Sequence, residues 1–164
     1  MAAGISTIST RVGFAGIAAW CFASLAYALY VQYELGLDPC PLCILQRMAM
    51  LGIAAGALLA VVWPRGRLLA AVLSVAAAGW GIATAGRHVW IQNLPADEVP
   101  ECGAGFDFMV EAFGIWEAVK TAFQGSGDCA EVDWTFVGLS MPAWVLIMFV
   151  GLALASLYFG LRKQ

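Results

Sequence analysis

Four long apolar runs divide the chain, at approximately residues 12–33, 44–63, 68–86 and 141–161. Each has about the 20 residues that an α-helix needs to cross a bilayer at 1.5 Å rise per residue. The third is rich in alanine and glycine, which suits close helix packing within a membrane. The pattern predicts an all-α membrane protein, a four-transmembrane-helix bundle forming a single integral membrane domain over residues 1–164. Between the runs lie a short polar connection (approximately 34–43), a basic turn at Trp63-Pro64-Arg65-Gly66-Arg67, and a long polar connection (approximately 87–140). The first run follows a ten-residue leader without positive charge, with Arg11 at its start. It is long, and no small-x-small site precedes the polar stretch 34–39, so a retained helix is expected rather than a cleaved signal peptide.

Within the long connection, residues 106–113 and 115–123 alternate apolar and charged groups at near-helical spacing. One or two short amphipathic helices are expected there, either on the membrane surface or packed against the loop facing solvent.

Composition narrows the class. Hydrophobic residues make up 62% of the chain and charged residues 12%, about half the charged fraction of ordinary soluble domains. Mean hydropathy is +0.84. The net charge of −3 gives no reason to expect nucleic acid. Its distribution is more informative. Arg11, Arg65, Arg67, Arg162 and Lys163 fall on one side of a four-span arrangement, and all eleven acidic residues, Glu34 through Asp133, on the other. The basic side is expected to be cytoplasmic, with both termini there and both longer connections outside. Tyr30, Tyr33, Trp63, Trp90, Trp134, Trp144 and Tyr158 lie near the ends of the runs, as interfacial aromatics should.

Cys40, Cys43, Cys102 and Cys129 then fall on the outer, oxidising side, while Cys21 sits inside a run as a small hydrophobe. Two structural disulfides would suit that compartment. Cys40-Pro41-Leu42-Cys43, however, is a CxxC unit at the N-terminal edge of the second run, where a disulfide staples little. Unpaired helix N–H groups there favour the thiolate needed for exchange. Arg47 follows Cys43 by four positions, on the same helix face; at the membrane edge it either anchors the helix end by snorkelling or, beside a CxxC, favours a thiolate or an anionic acceptor. A disulfide between Cys102 and Cys129 would close a sizeable loop and, alone, would read as structural, with about 3–4 kcal/mol of stabilisation. Four cysteines at these spacings do not form the paired CxxC ligands of a zinc site, so no metal is expected. His88, the single histidine, has no second histidine or CxxCH motif beside it for haem; with Arg87 and Gln92 it is a candidate for a small-molecule headgroup site.

Taken in order, Cys40-Pro41-Leu42-Cys43 with Gln46-Arg47, Arg87-His88-Val89-Trp90-Ile91-Gln92, Cys102-Gly103, Gly125-Ser126-Gly127-Asp128-Cys129 and the segment from Trp134 to Trp144 resemble the bacterial disulfide bond formation protein B (DsbB) family along nearly the whole chain. That resemblance implies an inner-membrane thiol oxidase. It implies Cys40/Cys43 as a quinone-proximal pair and Cys102/Cys129 as the pair exchanging with a periplasmic thioredoxin-fold dithiol oxidase (DsbA-like), with Cys102 forming the mixed disulfide. It further implies Arg47 as support for quinone chemistry and His88, with Arg87, near a bound ubiquinone or menaquinone. Gln46 departs from members that carry an acidic residue there. The competing readings are a thiol–quinone protein running in the reductive direction, similar to the vitamin K epoxide reductase family, and a membrane scaffold with structural disulfides. A homologue dedicated to one client, such as a sulfotransferase system, would share the same motifs.

Overall fold

The computed structural model describes residues 9–103, 105–132 and 134–162; Asp133, Lys163 and most of the N-terminal leader lie outside these. Four long helices dominate: α1 (Thr10–Glu34), α2 (Pro41–Val62), α3 (Arg67–Gln92) and, after two short helices, α6 (Met141–Leu161). All four are long and apolar enough to cross a membrane. A 3-10 turn at Pro64–Gly66 joins α2 to α3.

The helix starts are written in the local sequence. Ser9 caps α1 by accepting from the Val12 N–H at 3.4 Å. Proline occupies the first turn of both α2 and α6, where its missing N–H is harmless. The helix α3 runs on through His88 to Gln92, beyond the end of the apolar run. Polar side chains there remain helical because the outer loop meets them.

The helices form a closed ring: α1 packs on α2 and α6, and α3 packs on the same two. Small residues set the spacing. A side chain at Gly56 of α2 would strike the Ser74 hydroxyl of α3 and come within 3.0 Å of its backbone nitrogen. The two backbones therefore meet closely, as helices in lipid do when small residues line the contact. Phe14, Ile53, Ala57, Ala78 and Phe149 fill the centre. Outward, Val12, Trp20, Phe22, Tyr27, Val72 and Leu154 are exposed. In water so broad an apolar surface would aggregate; in a bilayer it is the lipid face. The seven aromatics near the ends of the runs are all solvent- or lipid-accessible.

The long loop between α3 and α6 folds as α4 (Phe106–Phe113) and α5 (Ile115–Gln124), then a 3-10 turn (Gly127–Cys129) and a hairpin of two-residue strands, β1 (Thr135–Phe136) paired with β2 (Leu139–Ser140). Gly114 separates α4 from α5 at φ +81°, a left-handed conformation that suits glycine. Met109, Ala118, Ala122 and Cys129 pack with Leu42, Leu45 and Ile91, forming a second apolar cluster where the start of α2 meets the end of α3. On the other face Phe108, Phe113, Ile115 and Trp116 are exposed.

Candidate functional site: a thiol–imidazole cluster under the outer loop

Cys40 is the N-cap of α2, and its sulfur accepts from the Cys43 N–H at 3.4 Å. The two sulfurs of the CxxC unit stand 3.0 Å apart. None of the five cysteines is bridged. From α3, His88 presents Nε2 to the Cys40 sulfur at 3.8 Å. Its Nδ1 meets the side-chain amide of Gln46 at 3.2 Å, in a buried contact between α2 and α3. From the loop, the 3-10 turn brings in Cys129. The sulfurs of Cys40 and Cys129 and a ring nitrogen of His88 all lie within 4.8 Å of one another.

Cys129 and His88 are buried and Cys40 is half-buried. The Ser126 hydroxyl lies 4.0 Å from the Cys129 sulfur. A hydrogen bond with Cys40, reinforced by burial, pushes the Cys129 thiol far above its ordinary range, so in the dithiol state it keeps its proton.

Cys102 sits elsewhere. It is exposed, beside Gly127 and Asp128. The Gly127 N–H donates to the Glu101 carbonyl at 3.1 Å. A side chain at Gly127 would meet the Cys102 sulfur at 3.2 Å and the Pro100 carbonyl at 2.9 Å, so glycine lets the Cys102 segment lie across the turn that holds Cys129. The Asp128 carboxylate, close by and hydrogen-bonded to Cys102, raises that thiol above its ordinary value.

Arg47 leaves α2 toward α1, donating to the Gln32 side chain and, at 3.2 Å, to the Ala28 carbonyl. Both partners are neutral, and no described carboxylate pairs with it. Arg87 turns away from the cluster: it donates twice to the Gln124 carbonyl, at 3.0 and 3.3 Å, and lies 4.2 Å over the Trp90 ring. It clamps the end of α5 to α3. Gln92 ties the far end of the loop, donating to the Glu131 carbonyl and accepting from Ser140 at 2.7 Å.

The fold thus gathers Cys40, Cys43, His88 and Cys129, leaves Cys102 at the surface, and places Arg47 and Arg87 on different sides. Sequence reasoning underrated Gln46, whose signal was an uncharged polar side chain near the start of an apolar helix. It also passed over Asp128, which precedes Cys129 but acts on Cys102.

Such a cluster can pass a disulfide between sulfurs of different elements without large motion, and the comparisons point the same way. The family model described as "Disulfide bond formation protein DsbB" matches residues 10–159. A "Disulfide bond formation protein B" of Xanthomonas euvesicatoria is 49% identical over 148 residues, covering 88% of this chain and 86% of that one. The protein of that name from Methylococcus capsulatus is 50% identical over 141 residues (84% and 86%). That of Chromobacterium violaceum is 41% identical over 160 residues (96% of each). With this ordered thiol cluster at one end of four membrane helices, the chain belongs to the DsbB family of disulfide bond formation proteins and is an integral membrane, disulfide-forming oxidoreductase.

Proposed function

We propose that the protein is an inner-membrane oxidase that reoxidises a soluble, thioredoxin-fold dithiol protein (DsbA-like) outside the cytoplasm and delivers the electrons to a membrane quinone. The apposition of Cys129 with Cys40, while Cys102 stays exposed, carries this reading.

The partner's thiolate attacks the accessible Cys102 sulfur of a Cys102–Cys129 disulfide; that bond breaks and Cys129 is released. Cys129 leaves that disulfide as a thiolate, the form that attacks the next disulfide. It lies beside Cys40 and attacks that sulfur of the Cys40–Cys43 disulfide. A Cys129–Cys40 bond forms, the Cys40–Cys43 bond breaks, and Cys43 leaves as a thiolate in the first turn of α2. The partner's second thiol displaces Cys102 from the mixed disulfide and departs oxidised. Cys102 then attacks the Cys129 sulfur of the Cys129–Cys40 bond, restoring Cys102–Cys129 and leaving Cys40 and Cys43 as the dithiol that gives up two electrons and re-forms its own disulfide. His88, in contact with the Cys40 sulfur and backed by Gln46, orients that sulfur and can hold a proton at Nε2.

A quinone suits the Cys43–Arg47 side of α2. Arg47 is a guanidinium at the membrane edge whose partners among the described residues are neutral, which leaves its charge to favour negative charge on a quinone oxygen. When bound, the quinone supplies the two-electron acceptor that closes the cycle as quinol. Cys43 and Arg47 would hold the headgroup, and His88 completes the polar surroundings from α3.

The direct test follows quinone reduction by the reduced thioredoxin-fold partner. Wild-type protein should turn over and Cys43→Ser should be inactive. Retained turnover in Cys43→Ser would overturn the order of the relay.

A further inference from the structure

The ligand atoms of Cys40, Cys129 and His88 form a triangle that no step of the relay requires to be closed on all three sides. They come from three separate elements: the N-cap of α2, the 3-10 turn of the outer loop, and α3. We propose that the fully reduced protein binds one Zn²⁺ between Cys40, Cys129 and His88, and that the ion withdraws both sulfurs from thiol exchange.

The geometry is close to what zinc needs. With Zn–S near 2.3 Å and Zn–N near 2.0–2.1 Å, the edges of a tetrahedral site are about 3.5–3.8 Å. The Cys40 sulfur and His88 Nε2 are already 3.8 Å apart, and no pair in the triangle exceeds 4.8 Å. Inward shifts of about 1 Å or less therefore close the site. The Cys43 sulfur, 3.0 Å from that of Cys40, is closer than a tetrahedral edge allows, so water completes the fourth position.

Charge balance favours the ion in this half-buried setting. Two thiolates and a neutral imidazole around Zn²⁺ sum to zero, so no net charge is removed from water. On binding, two S–H protons leave, two Zn–S bonds form, and no electron moves. Gln46 is the supporting contact. With Nε2 on the metal, Nδ1 carries the proton and needs an acceptor. The Gln46 amide, 3.2 Å away, provides one by presenting its oxygen in place of its nitrogen.

Counting four cysteines in a row argues against zinc, because their spacings do not form two CxxC ligand pairs. The fold substitutes His88 for Cys102 and makes that spacing irrelevant. The binding itself is independent of the proposed oxidase cycle; only its inhibitory consequence rests on that reading.

The test uses the full chain in detergent, reduced with a phosphine, freed of reductant, and titrated with Zn²⁺ against a chromophoric chelator, with neither quinone nor partner present. One Zn²⁺ per chain is expected, together with a higher Tm, because the ion ties the loop to the bundle. Cys129→Ser and His88→Ala should each weaken binding by about tenfold or more, while Cys102→Ser binds as wild type. Co²⁺ in place of Zn²⁺ should give thiolate charge-transfer absorption that diminishes in Cys129→Ser. Circular dichroism identifies any variant that has lost its helices, and the near-isosteric Cys40→Ser provides a further reading of the ligand set. Absence of saturable binding, or equal loss in Cys102→Ser and Cys129→Ser, would overturn the proposal.

Discussion

The two loop cysteines stand in opposite surroundings although they are joined through one glycine-lined turn. Cys102 is exposed beside a carboxylate, whereas Cys129 is buried against Cys40. In the reduced protein an alkylating reagent should therefore modify Cys102 about tenfold or more faster than Cys129, as peptide mapping of partly labelled protein would reveal. Comparable rates would mean the loop opens freely. The sign of the Asp128 effect follows from its charge. A carboxylate next to Cys102 disfavours the thiolate, so the pH midpoint for Cys102 alkylation lies above the ordinary thiol value, and less thiolate is present at neutral pH. Asp128→Asn removes that charge. It should move the midpoint downward and speed labelling at pH 7 by about two- to fivefold, since a full unit would be tenfold. An unchanged midpoint in a variant whose only remaining cysteine is Cys102 would refute the pairing. The residue types at this site could be read directly from the chain, but their surroundings could not. Asp128 is adjacent to Cys129 in sequence and acts on Cys102, because the turn directs neighbouring side chains to different faces.

Among the elements, α2 and α3 depend on the absence of a side chain at Gly56, where the Ser74 backbone and hydroxyl occupy the space. Gly56→Leu should lower stability by about 1–3 kcal/mol through overpacking, seen as a lower Tm in detergent. Gly79→Leu is the matched control, because Gly79 has open space around it and should leave Tm unchanged. Equal effects would mean that helix propensity, not contact, sets the result. The α4–α5 pair raises a different question, which its sequence pattern leaves open. Its inner face is settled by packing on Leu42, Leu45 and Ile91, and its outer face carries Phe113, Ile115 and Trp116 uncovered. An amphipathic helix with bulky aromatics outward suits the lipid interface. A fluorophore on Trp116→Cys, in a background lacking the other cysteines, should be quenched by lipid-borne quenchers in bilayer discs. A purely aqueous response would place the helix in solvent. The hydrophobic periodicity gave one or two helices with the division at residue 114, and the positive φ of Gly114 makes them two.

At the scale of the whole molecule, four apolar helices close into a ring, and the long loop lies over the ends of two of them. Charge asymmetry predicts that both termini share the cytoplasmic side. A membrane-impermeant thiol reagent should accordingly label Cys102 in right-side-out vesicles and fail to do so in inverted ones; the reverse would invert the topology. The existence, number and approximate positions of the long helices were determined by the sequence alone, because about 20 consecutive apolar residues have few other stable arrangements in lipid. The CxxC at a helix mouth and the ordered motifs likewise identified the family from the chain itself. Apolar runs and cysteine spacings, however, do not tell which sulfur meets which. Cys40 and Cys129 are 89 positions apart, and His88 lies on a third element between them. Their meeting depends on how α4, α5 and the 3-10 turn dock on α2 and α3, which is decided by the packing of Met109, Ala118 and Ala122 against Leu42, Leu45 and Ile91. Such long-range contacts have no local signature, so only the tertiary structure sets Cys129 beside Cys40 and leaves Cys102 at the surface.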